Sequence, residues 1–129
     1  MKKYLALIVI GLLFSGFLAG CDAKNVKITK DMNGETISVE KGDSITLSLA
    51  GNPTTGFNWE LIEMSQSILV PEGEPDYKSG SMLIGSSGVY TYKFNAVQAG
   101  STTLKLVYHR SWEKDIPPAE MFEVFIKVK

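Results

Sequence analysis

Residues 44–61 read SITLSLAGNPTTGFNWEL. Ile45, Leu47 and Leu49 fall on every second position with Thr46 and Ser48 between them, and beyond a turn the alternation restarts at Phe57, Trp59 and Leu61. Side chains along a pleated strand point alternately to its two faces, so this pattern predicts two half-buried strands joined by a turn. The turn itself has little backbone freedom. Pro53 fixes its own φ and disfavours the α region for Asn52, two β-branched threonines follow, and Gly56 permits a backbone turn closed to other residues. A segment this constrained loses little conformational entropy on meeting a partner, so residues 52–57 are expected to form a stiff wedge.

Outward from this stretch the same period recurs at Val26 and Ile28, at Ile37 and Val39, and at Tyr90, Tyr92 and Phe94. It continues through Leu104, Leu106 and Tyr108, and through Phe122, Val124, Ile126 and Val128. Turn residues separate the runs: Asn33-Gly34, Lys41-Gly42-Asp43, Glu72-Gly73-Glu74-Pro75, the glycines between 85 and 88, Ala99-Gly100 and Pro117-Pro118. The predicted strands cover residues 26–30 (with a continuation through 37–39), 44–49, 57–62, a short run near 68–70, then 89–96, 101–109 and 121–128. Residues 71–88 carry no legible pattern, and no part of this region has helical spacing. The expected fold is all-β, an immunoglobulin-like sandwich of about seven or eight antiparallel strands in one domain over residues 26–129. Cys21 is the one cysteine. The disulfide framework of antibody domains is therefore impossible, and Trp59 is left either to fill the core or to cap its strand beside the loop.

The N-terminal stretch is a separate object. Lys2 and Lys3 precede an apolar run from Tyr4 to Leu18 broken only by Gly and Ser, the layout of a secretory signal peptide. The run falls short of the roughly 20 apolar residues that a comfortable membrane span needs. Leu18-Ala19-Gly20-Cys21 resembles the lipobox of bacterial lipoproteins, which implies cleavage after residue 20 and lipid on Cys21. Residues 1–20 are then a lipoprotein signal peptide and residues 21–25 the lipidated Cys and a short spacer. The product would be exported and held at a membrane by lipid, facing away from the cytoplasm. The whole chain has 13 Lys and Arg against 14 Asp and Glu. Removing residues 1–20 takes Lys2 and Lys3 and no acid, leaving 11 against 14, a net charge of −3. So balanced a chain offers no field to attract nucleic acid, and no nucleic-acid partner is expected.

If successive strands from residue 44 onward reverse direction, three distant loops emerge at one end of the sandwich. They contain Asn52-Pro53-Thr54-Thr55-Gly56-Phe57, Gly85-Ser86-Ser87-Gly88 and Arg110-Ser111-Trp112. Taken together they resemble the chagasin-like family of cysteine protease inhibitors, whose pattern is NPTTGF in the first loop, GxxG in the second and RPW in the third. The first matches at all six positions, the second at both glycines and the third at two of three. The resemblance implies a binding module for a papain-like cysteine protease, with all thirteen of these residues at the contact and Thr54 and Thr55 nearest the enzyme's nucleophile. Blockade would be reversible and competitive, the wedge filling the cleft without offering a carbonyl at attack distance. Trp112 and Arg110 are of the types enriched at interface hot spots, and Gly85 and Gly88 would allow close backbone approach. Ser111 stands where the family has Pro, which should leave the third loop more flexible and weaken binding modestly.

Rival chemistry does not assemble from these residues. His109 is the only histidine, which leaves no His-rich metal site and no relay with spare partners. It reads as an ordinary strand-end residue beside the third loop, with a part in tuning the binding as the alternative. Ser86 and Ser87 lack the strand-to-helix nucleophile elbow. Glu72, Glu74 and Asp76 lack the spacing of a calcium loop. No catalytic residue, metal or cofactor is expected, and the domain should act as a monomer. The readings from other classes are an immunoglobulin-like envelope module for adhesion or assembly without inhibitory activity, an enzyme accessory domain and a ligand-binding lipoprotein.

Overall fold

The computed structural model of the chain describes residues 23–80 and 87–129. Among them lie nine strands, in chain order β1 (Asn25–Ile28), β2 (Thr36–Val39), β3 (Ser44–Gly51), β4 (Asn58–Glu63), β5 (Leu69–Pro71), β6 (Asp76–Ser79), β7 (Gly88–Ala96), β8 (Gly100–His109) and β9 (Glu120–Val128). One sheet has the order β1-β3-β7-β5, with β6 also paired to β7, and the other has the order β2-β9-β8-β4. The two inward faces form a sandwich core in which Phe94, Phe122, Ile45, Leu47, Leu104 and Leu106 are almost fully buried. Each such side chain contributes about 1.5–3 kcal/mol of transfer free energy. These are the residues that the alternation placed inward. No helix among the described residues is long and apolar enough to cross a membrane.

The architecture is the predicted sandwich, with two differences of detail. Among the described residues it has nine strands where about seven or eight are expected, and they are not all antiparallel, because β1 pairs parallel to β3 and β2 parallel to β9. The parallel pairings come from the first predicted strand, which does not continue from residue 30 to 39 within one sheet. A 3-10 turn at Lys30–Met32 and Gly34 at φ 84 carry the chain across to the other sheet. There Asn33 Oδ1 accepts from the Glu123 amide at 2.8 Å and the Gly34 amide donates to the Glu123 carbonyl. Ile28 is thus buried from one sheet and Val39 from the other. The additional strand, β6, lies in the stretch that showed no pattern, since its sequence DYKS offers only Tyr77 as an apolar residue.

Trp59 fills both of the roles open to it. It is 5% exposed in the core, and its indole N–H donates to the Ala50 carbonyl at 3.0 Å, fastening β4 to the end of β3. Beside it the Tyr92 hydroxyl donates to the Trp59 carbonyl at 2.9 Å, a bond across the two layers. Burial, with a smaller contribution from Tyr90, pushes the Tyr92 phenol up to about 12. Strand register fixes the two ends of the sandwich. Gly51 pairs with Gly88 and Asn58 with His109 at one end, while Asn25 pairs with Ser44 and Gly100 with Val128 at the other. The first and third segments, and Gly88 of the second, therefore border the first end, as strand reversal requires.

Candidate functional site

Residues 52–57 are rigid for reasons that can be followed atom by atom. Pro53–Thr55 form one 3-10 turn, and Asn52 caps it, its Oδ1 accepting from the Thr54 amide at 3.1 Å and the Thr54 hydroxyl at 2.6 Å. The Thr55 hydroxyl donates to the Asn52 carbonyl at 2.7 Å. Gly56 closes the turn in the left-handed region at φ 84, with its amide on the Pro53 carbonyl at 3.0 Å. Few other residues tolerate that conformation. At the base, the Asn52 amide donates to the Tyr108 hydroxyl at 2.8 Å. The threonine hydroxyls are thus bound within the turn while both residues remain solvent-exposed at its tip.

The third segment is fastened to the first. Arg110 Nε donates to the Thr55 carbonyl at 3.0 Å, Arg110 Nη1 meets Glu113 Oε1 at 3.0 Å, and the guanidinium carbon lies 4.3 Å from the centre of the Phe57 ring. Phe57 stacks in turn on Tyr108 at 5.3 Å, and Tyr108 packs against Trp59 at 5.0 Å. A column of side chains therefore runs from the third loop down into the core. Its cation–π and ring contacts contribute roughly 0.5–1.5 kcal/mol each. Residues Arg110 to Glu113 form a turn closed by the Glu113 amide on the Arg110 carbonyl at 3.0 Å, with Ser111 at its second position. Trp112, at the third, is 66% exposed. Its ring edge stands beside Gly56, where an added Cβ would come within 2.5 Å of Trp112 Cη2.

Of the second segment, Gly85 and Ser86 lie outside the described residues. Ser87 is exposed, whereas Gly88 is buried inside the pairing of β7 with β3 and β6. A Cβ on Gly88 would strike the Lys78 carbonyl and the Tyr77 ring, so the fold itself demands glycine there. The Asn58 side chain, at the foot of the wedge, accepts from the Tyr90 hydroxyl at 2.9 Å. His109 points to Glu60 across the outer face of β8 and β4.

The structure brings the first and third segments into one contiguous tip carrying exposed Thr54, Thr55, Ser111 and Trp112. It divides the other residues by role. Asn52, Phe57 and Arg110 act chiefly as struts, because their hydrogen-bonding or ring faces are engaged within the protein. Tyr108 and Glu113 complete the scaffold and were not singled out from the sequence; Tyr108 showed there only as an inward position in an alternating strand. The signal that was available is a tyrosine at a strand end next to a Pro-containing loop, where a phenol can be buried by its ring and still reach an amide. The tip projects Thr54, Thr55, Ser111 and Trp112 into solvent. Among the described residues no group of three or more His, Cys, Asp or Glu is placed to hold a metal. A cleft of about 400 Å³ between Trp59, Leu61, Pro71 and Phe94 lies on the flank of the sandwich, away from the loops.

Two loops fastened into one tip on an all-β sandwich invite comparison with known proteins. Residues 38–126 match the model of the chagasin family peptidase inhibitor I42, a span that contains all three segments. The chain belongs to the chagasin family. It is 30% identical over 106 residues to chagasin of Trypanosoma cruzi, covering 78% of this chain and 96% of chagasin. Among solved structures it is similar to the cysteine protease inhibitor EhICP2 of Entamoeba histolytica, with a TM-score of 0.74 at 21% identity over 85% of this chain and all of that one. It is also similar to PbICP-C, solved in complex with falcipain-2, with a TM-score of 0.57 at 15% identity over 83% of this chain and all of that one. At such identities these two structures speak for the shared fold, a sandwich that in this chain presents the NPTTGF wedge intact.

Proposed function

We propose that this chagasin-family chain is a reversible, competitive inhibitor of papain-like cysteine proteases, with residues 52–57, 85–88 and 110–112 as its contact edge. The single observation that carries the mechanism is the Arg110 bond to the Thr55 carbonyl, with Thr54, Thr55 and Trp112 exposed around it. Two loops 55 residues apart in sequence are thereby held as one preformed body. Binding then orders few groups, and affinity is not lost to loop ordering. Inside an enzyme cleft, the tight 3-10 turn at Pro53–Thr55 offers no extended peptide to the nucleophile. Attack needs reacting atoms about 3–3.5 Å apart and aligned, and a chain held out of that geometry occupies the site without being cut. Family membership, and relatives described as cysteine protease inhibitors, support the same reading.

The test is to titrate residues 22–129 into papain and follow hydrolysis of a small peptide substrate. Inhibition overcome by raising substrate, with the inhibitor recovered uncut, is expected. No inhibition at micromolar concentration would favour an envelope module without inhibitory activity. We propose further that residues 1–20 are removed on export and that Cys21 carries lipid, which would place the inhibitor on a membrane facing away from the cytoplasm. The basic N-terminus, the apolar run and the Leu18-Ala19-Gly20-Cys21 sequence support this. Replacing Cys21 with Ser should abolish labelling by a lipid precursor and release the protein from membranes.

A further inference from the structure

The end of the sandwich opposite the three loops is closed in a way that bears on the proposed anchor. Asp43, only 4% exposed, accepts from the Lys24 amide at 3.0 Å through Oδ1 and from the Glu40 amide at 2.9 Å through Oδ2. The Ser44 amide donates to the Lys24 carbonyl at 2.8 Å. The chain is therefore pinned at Lys24, before β1 begins, to the turn between β2 and β3. Cys21 lies three residues earlier, a reach of roughly 10 Å even when fully extended. From this turn β3 runs its eight residues, roughly 23 Å, to Gly51 at the foot of the wedge.

The same end has its own surface chemistry. Lys24, Lys41 and Lys129 are exposed there, beside Val97, which is 42% exposed. Backbone bonds set them side by side: the Lys41 amide on the Lys129 carbonyl at 3.0 Å, Gly42 on Ala96 at 2.8 Å and Val97 on Ile68 at 2.9 Å. Among the described residues beside these lysines, Asp43 is a buried carboxylate whose oxygens accept from the two amides, and Glu40 is exposed. A lysine-rich end on a portion of net charge −3 runs against the overall balance, and lysines next to a lipid anchor are drawn to anionic headgroups.

We propose that this end, carrying Lys24, Lys41, Lys129 and Val97, rests on an anionic lipid surface and holds the inhibitory wedge outward from the membrane. The inference rests on lipidation at Cys21 and adds to it a fixed orientation. A protease in solution then meets the tip without a clash against the bilayer, and a short spacer suffices because the fold itself supplies the height.

The test uses the full chain, processed and lipidated, in vesicles of phosphatidylethanolamine and phosphatidylglycerol with a nitroxide on a fraction of the headgroups. Lipid occupies Cys21, so a cysteine introduced at either of two exposed positions is the one thiol open to a dye: Gln98→Cys at the lysine end or Lys114→Cys at the loop end. The expected result is quenching several-fold stronger at position 98 than at position 114, with the difference lost in the triple variant Lys24→Glu, Lys41→Glu, Lys129→Glu. Equal or reversed quenching on a chain whose mass shows the lipid overturns the orientation alone. A chain without lipid that stays in solution overturns the anchor and the orientation with it. Papain inhibition by the same vesicles reports separately on the inhibitory reading.

Discussion

Trp112 exposes two-thirds of the largest side chain in the protein at a turn whose neighbours are polar. It has no part in the core, so truncation should leave folding intact and act on binding alone. Trp112→Ala is expected to raise the inhibition constant for papain by roughly thirtyfold, about 2 kcal/mol, with the thermal midpoint unchanged. A matching fall in the midpoint would make the ring structural instead. Ser111 occupies the second position of the Arg110–Glu113 turn, where proline is favoured because its ring presets φ. Ser111→Pro should therefore stabilise the protein by about 0.4–1 kcal/mol, measured by denaturant unfolding, and slow dissociation from papain. Arg110 teaches a different lesson. Its residue type suggests a bond to a partner, yet the structure turns its fork onto Thr55 and Glu113, a distinction that no local sequence contains because the acceptor is a backbone carbonyl 55 positions away. Arg110→Lys keeps the charge and loses the planar stack on Phe57, so inhibition should weaken by roughly tenfold and stability should fall by about 0.5–1 kcal/mol.

At the scale of the elements, the alternating strands were legible because each is buried on one face, as β3, β7, β8 and β9 are. β6 was illegible since it is an exposed edge whose pairing comes from β7 and not from its own DYKS pattern. The crossing of the first strand between sheets was hidden for another reason: inward residues look alike in sequence whichever sheet they leave. The fastening of β1 depends on Asp43, whose carboxyl is held below the usual aspartate range by the Lys24 amide first and the Glu40 amide second. A lowered value means that the contribution is fully present above the unfolded-state value of about 3.9 and is lost as pH falls through the lower folded one. Asp43→Asn should thus lower the thermal midpoint at neutral pH, and the gap from the parent should close as pH drops below about 3.9. A gap that stays constant down to that acidity would show that charge has no part in the clamp.

Across the whole molecule the sandwich has two unlike ends, a wedge fastened to the third loop at one and the pinned N-terminal segment at the other. The interior between them is held in part by Tyr92, whose raised value has its own consequence for stability. The neutral phenol is favoured in the folded state, so its contribution is full below about 10 and disappears as pH rises toward 12. Tyr92→Phe should flatten the alkaline unfolding profile in that window, at the cost of the bond to the Trp59 carbonyl. Fold class and the position of the tip could be read from sequence because period and strand reversal are global constraints. The division of that tip into struts and exposed contacts could not, because it depends on side chains that meet only after the sheets pack. The central claim is that the tip fills a protease cleft, and it is tested most directly by comparing binding of residues 22–129 to papain with an open cleft and to papain whose cleft is filled by an irreversible peptidyl inhibitor. We predict affinity at least roughly a hundredfold weaker, about 2.7 kcal/mol, for the filled enzyme. Equal affinity for the two would contradict the account.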